Sequence, residues 1–168
     1  MNAYKFLRTD GTGAFTRFAW PLPDGARGAW VETDPDPDPC RSGIHACRLG
    51  DLPYWAGWVL YEIELDGDVI EHNSKVLAPR GRLLRRIVAW DDDFRAALTR
   101  HCADRAHEIA RESGIERWEE VIEPSVPEGP ALLGFVAARI AEAAGGVAAY
   151  HAERARQTDW LAARLGLV

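Results

Sequence analysis

The hydrophobic pattern changes its period at Trp90, and that change constrains the fold more than any other feature of the chain. Before Trp90, apolar residues alternate with polar ones or gather in short runs between prolines and glycines. After it they recur every three to four residues. In VLYEIEL, Val59, Tyr61, Ile63 and Leu65 face one way, and Leu60, Glu62 and Glu64 the other, which predicts a strand with one face in the core. DDDFRAALTRHCADRAHEIARESG opens on acidic residues that suit a helix N-terminus and ends at Gly114. Phe94, Leu98, Cys102 (or Ala103), Ala106 and Ile109 make its apolar stripe. A strand-rich half over 1–90 followed by a helical half over 91–168 is an α+β fold, and 168 residues suit one domain.

Further strands are predicted in AYKFLR, GAFTRFAWPLP, around Trp30, GIHAC, KVLA and RLLRRIVAW. TDPDPDPC is a loop, because each proline removes a backbone donor and restricts the residue before it. Asp51 is placed to cap a short helix with Pro53 in its first turn, and DGD reads as a tight turn. PALLGFVAARIAEAAGG and VAAYHAERARQTDWLAARLGL bring the helices to about three, with a joint at Gly145–Gly146. Their Ala and Leu stripes suit packing on the sheet or on a second copy, so a homodimer would form through these helices.

The formal net charge of -6 disfavours general binding to a nucleic-acid backbone. No run approaches the roughly 20 apolar residues that span a bilayer. MNAYKFLRTDG lacks the apolar stretch of a signal peptide, so a cytoplasmic protein with no membrane partner is expected. Three cysteines, an odd number, read as free thiols in a reducing compartment.

The densest chemistry lies in CRSGIHAC. Cys40, His45 and Cys47 supply three zinc-ligand types, but their spacing is not a usual zinc pattern. On a strand His45 and Cys47 share a face roughly 6–7 Å apart, too far for the imidazole to activate the thiol directly. Buried thiols beside a hydrogen-bonded histidine are the simpler reading. His101 and His107 do not share a helical face and read as surface residues, and His151 with Glu153 as solvated. Most of the seven tryptophans should be core, with one or two free to line a pocket for a flat ring. Arg80, Arg82, Arg85 and Arg86 are read as paired with acidic surface or, more sharply, as a phosphate clamp.

Two family resemblances follow. YKFL (4–7), GIHAC (43–47), LPYW (52–55), YEIELDG (61–67) and Lys75 resemble a family of small bacterial and phage proteins with a G-[FI]-H-A-C motif and no established activity. More distantly, the order GIHAC, DLPYW, VLYEIELDG and HNSKVLAPRGRLLRRIVAW is similar to the core of ADP-ribosyltransferases of the poly-ADP-ribose polymerase type. That resemblance implies a split sheet with a nicotinamide cleft. His45 would take the place of the tyrosine that stacks on the nicotinamide, and Tyr4, Lys5 and Arg8 would lie near the ribose. The catalytic glutamate of those enzymes would fall at Ser74 or Lys75, neither acidic, with Glu71 three residues early.

The leading expectation is therefore a ligand cleft for NAD or a related nucleotide, or another anionic small molecule. It would be either a binding site or a transferase without the usual glutamate. His45 and Lys75 would carry any chemistry, and Tyr4, Lys5, Arg8, Trp55, Arg80 and Arg82 would hold the ligand. The alternatives are a non-enzymatic protein-interaction module and a zinc-binding protein.

Overall fold

The structure, a computed structural model, describes residues 1–39 and 41–167. The chain divides into two compact units, Met1–Trp90 and Asp91–Val168. The change of period at Trp90 is thus the boundary between a strand-rich unit and a helical one, and the fold is α+β.

The first unit holds β1 (Asn2–Leu7), β2 (Val31–Glu32), β3 (Ile44–Ala46), β4 (Val59–Asp66), β5 (Ile70–His72), β6 (Lys75–Ala78) and β7 (Arg80–Arg86). They form two antiparallel sheets, ordered β1-β4-β7-β2 and β3-β6-β5. Tyr4 and Cys47 exchange two backbone hydrogen bonds of 2.8 Å, which tie β1 to the chain leaving β3. The alternation in β4 is realised: Val59, Tyr61, Ile63 and Leu65 meet Ala3, Leu7, Ile44, Ala46, Val76, Ala78 and Leu83 in one core. Leu60, on the other face of β4, is also buried. Its β1 partner Phe6 meets the buried Trp90 edge to face at 5.2 Å, and Trp90 Nε1 donates to the Gly57 carbonyl at 3.1 Å.

Two local expectations need correction. GAFTRFAWPLP is not a strand but a chain of turns with isolated bridges, and Arg17 within it takes positive φ (57°). The short strand expected around Trp30 is present as β2, Val31–Glu32. Asp51 does not cap the helix α1 (Leu52–Trp55) through its side chain. Its carboxylate turns back to accept from the backbone N–H of Arg48 at 3.2 Å and from Arg48 Nε at 2.7 Å, closing the 3-10 turn Leu49–Asp51.

In the second unit, α2 (Asp92–Ser113) starts where Asp91 accepts from the Phe94 N–H at 2.8 Å and stops at Gly114, whose φ is 64°. The short α3 (Glu119–Ser125) precedes α4 (Pro130–Leu165). Gly146 (φ 78°, ψ -173°) breaks α4 into arms 130–145 and 147–165, so the predicted glycine joint is present. Gln157 Nε2 donates to the Gly134 carbonyl at 3.0 Å and clamps one arm to the other. Glu153, Arg154 and Gln157 are buried polar residues. Arg105 Nη2 on α2 donates to Glu153 Oε2 at 3.4 Å. Glu153 is therefore a buried partner, not the solvated residue expected, while His151 is exposed. His101 and His107 are half-buried against Trp160 and Trp118, at 4.6 and 4.4 Å between ring centroids, and not simply on the surface. By length and composition α4 is apolar enough to cross a membrane; its first arm before the Gly146 break would span about 24 Å, short of a hydrocarbon core of about 30 Å.

Candidate functional site

The alternation of β1 sends Ala3, Lys5 and Leu7 to one side. Ala3 and Leu7 enter the core, so Lys5 carries an amine into an apolar wall. Lys5 Nζ donates to the His45 carbonyl at 2.6 Å and lies 4.7 Å from the centre of the Trp20 ring. The residue as a whole is partly exposed. No carboxylate among the described residues acts on this amine; burial pushes its pKa from 10.5 down to about 8, against a small opposing effect of Cys47.

His45 sits in β3 between Ile44 and Ala46, which enter the core, so its own side chain faces the other way and is half-buried. Burial lowers its pKa first, then the positive charges of Lys75 and Lys5, so the imidazole is neutral at pH 7. The register pairs His45 with Leu77, which puts Lys75, two residues earlier in β6, on the same side of that sheet. Trp55, at the end of α1, donates from Nε1 to the Ser74 carbonyl at 2.6 Å, next to Lys75. Phe15 meets Trp55 edge to face at 6.5 Å and is 85% exposed. The structure thus brings together Lys5, His45, Lys75 and Trp55 of the residues expected from the sequence.

The sequence contains a signal for this site that position-by-position reading passes over. Of 20 basic residues, 18 are arginines and two are lysines, Lys5 and Lys75. Both lysines act on His45. Lysine and arginine are not interchangeable where an amine must shed its proton or meet a ligand as a compact charge.

The other expected ligand residues lie elsewhere in the unit. Tyr4 pairs across the strands with Glu62, on the face of β1 and β4 away from Lys5, and burial followed by the Glu62 charge raises its pKa. Arg8 lies over the Trp58 ring at 5.2 Å. Arg82 donates to Glu64 at 2.8 Å, Arg85 to Glu62 at 2.7 Å and Arg80 to Asp66 at 3.2 Å, forming a cross-strand ladder of ion pairs. A bulge at Glu62/Ile63 brings Arg85 into the same ladder as Arg82. Arg80 and Arg82 also flank Trp30 at 4.3 and 4.4 Å. Glu71 is bound by Arg48, which also donates to the Asn73 carbonyl at 2.6 Å.

Cys47 is buried and its thiol donates to the Tyr4 carbonyl at 3.4 Å; burial raises its pKa, so it is held as a thiol and not as a nucleophilic thiolate. Cys40 lies outside the described residues, and with it the proposed set Cys40, His45 and Cys47. Among the described residues no group of three His, Cys, Asp or Glu side chains is arranged to hold a metal. The arrangement around His45 offers two amines and a neutral imidazole bordered by indole rings, a set suited to an anion attached to a flat ring. No protein-family profile matches the chain, and neither a curated protein nor a solved structure does.

Proposed function

We propose that the N-terminal unit binds an anionic small ligand of the nucleotide type around His45. Lys5 and Lys75 meet the anionic group, and His45 and Trp55 meet the flat ring. The observation that carries this reading is the placement of the chain's only two lysines beside one histidine. The Lys5 amine, desolvated by the protein and with no carboxylate among the described residues acting on it, gains an ionic interaction when an anion arrives, and the low local dielectric strengthens it. The arginine-rich strand β7 contributes less, because Arg80, Arg82 and Arg85 are already neutralised by carboxylates.

The resemblance to ADP-ribosyltransferases agrees with a ring on His45. With Ser74 and Lys75 in place of the glutamate, the reading is a binding unit, or a transferase that stabilises its transition state by other means. The test is a thermal-shift titration with NAD, ADP-ribose and inorganic pyrophosphate on the wild type, His45→Ala and Lys75→Met. Ligand-dependent stabilisation lost in both variants is expected. No shift of the wild type with any of the three would refute the reading.

A second reading, a protein-interaction role for the helical unit, is favoured by one observation. Phe135 and Val147, 44% and 61% exposed, border an open cavity of about 230 Å³ at the Gly146 joint. Light scattering of the wild type and Phe135→Glu tests it: a dimer that dissociates in the variant supports association through this face.

A further inference from the structure

The geometry points to a covalent use of the same site: we propose that Lys5 is a nucleophilic amine that condenses with a small aldehyde or ketone carrying a carboxylate or phosphate. The choice of an anionic substrate rests on the reading above; the reactivity of the amine does not. Lys5 Nζ stands at the end of an apolar wall, against the Trp20 ring and one carbonyl oxygen, and no carboxylate among the described residues acts on it. The residue as a whole is only partly buried. Lysines are activated in this way where they form imines, by desolvation in apolar surroundings. With a pKa of about 8, about a tenth of Lys5 is neutral at pH 7, some 300-fold more than for an ordinary lysine.

The step balances without any redox partner. The lone pair of the neutral amine forms a C–N bond to the carbonyl carbon, and the carbonyl π pair takes up a proton to give a carbinolamine. Loss of water then gives the imine. Solvent water carries the protons, and His45 lies within electrostatic range of both lysine charges. Lys75 meets the anionic group.

Because the chain has two lysines and one α-amine, the products can be assigned site by site. The folded protein is incubated with glyoxylate and sodium cyanoborohydride from pH 6 to 10, and the carboxymethyl label is mapped by peptide mass. Lys5 should take the label at least tenfold faster than Lys75 at pH 7, with a rate that levels off above about pH 8. Lys5→Arg should remove the fast phase, and Lys75→Met should slow glyoxylate without slowing the uncharged aldehyde propanal. Faster labelling of Lys75 or of the N-terminus would overturn the proposal. Equal rates for propanal and glyoxylate in the wild type would overturn the anionic substrate class. If ADP-ribose still stabilises a protein whose Lys5 is inert to glyoxylate, the covalent step fails while the binding reading stands.

Discussion

Replacing Lys5 by methionine should change how stability depends on pH, and the change can be worked from the structure. Methionine keeps the length of the side chain in the apolar wall but carries no charge. In the unfolded chain the amine has its ordinary pKa of 10.5; in the fold, burial lowers it to about 8. Below pH 8 both states are protonated, and the buried charge costs the fold about 3 kcal/mol, following from the two pKa values. Between pH 8 and 10.5 the folded state sheds its proton first, the unfolded state binds more protons, and wild-type stability rises relative to the variant. Integrated from pH 7 to pH 10, the gain is about 2.5 kcal/mol. Cys47, Cys102 and Tyr4 have raised pKa values and act in the opposite sense, so that the fold loses stability as pH climbs through their unfolded values. Cys102 and Tyr4 are present in both proteins and cancel in the difference; Cys47 loses the small lowering effect of the Lys5 charge in the variant. Urea unfolding of wild type and Lys5→Met at pH 7, 8, 9 and 10 measures that difference. A difference flat with pH would mean that Lys5 titrates as it would in water, and the reasoning about the site would fail.

Two further outcomes follow from the packing. Gly134→Ala should destabilise the helical unit by about 1–3 kcal/mol, because the added Cβ would lie 3.0 Å from Gln157 Oε1 and 3.1 Å from Arg154 Nη1; unfolding followed by circular dichroism checks it, and an unchanged midpoint would deny the close approach of the two arms. Burial pushes Cys102 up to about 12 and Cys47 up as well, so neither thiol should react with a disulfide reagent at pH 8 until the chain unfolds, as peptide mapping of the modified cysteines would reveal.

The elements that were legible in the sequence are those whose local pattern and tertiary role agree. β4 alternates because one face is buried, and α2 carries both its Asp91 cap and its Gly114 stop. The segment 13–23 misled because aromatic and β-branched residues suggested a strand, while the positive φ at Arg17 bends the backbone into turns. β5 escaped notice since Ile70, Glu71 and His72 have no buried face to leave a pattern. Glu153 and His101 look solvated in sequence; their partners Arg105 and Trp160 are nearly 50 or 60 residues away, beyond local periodicity. At the site, GIHAC was visible as a strand with chemistry. The partnership of Lys5 with His45 was not, because 40 residues separate them and it is tertiary pairing at the Tyr4–Cys47 bridge that brings β1 beside β3. Two clues were present: a lysine between Ala3 and Leu7 on an apolar face, and a chain with one other lysine, Lys75, against 18 arginines.

The central claim is that the two lysines and His45 form one anion-binding site, and the scarcity of lysine makes it directly measurable. A chain labelled with ¹³C and ¹⁵N in lysine alone gives two side-chain signals by nuclear magnetic resonance, assignable with Lys75→Met. One signal should titrate near pH 8, and both should move together when ADP-ribose is added. Two signals that titrate near 10.5 and stay fixed through the ADP-ribose titration would contradict the assignment of this site.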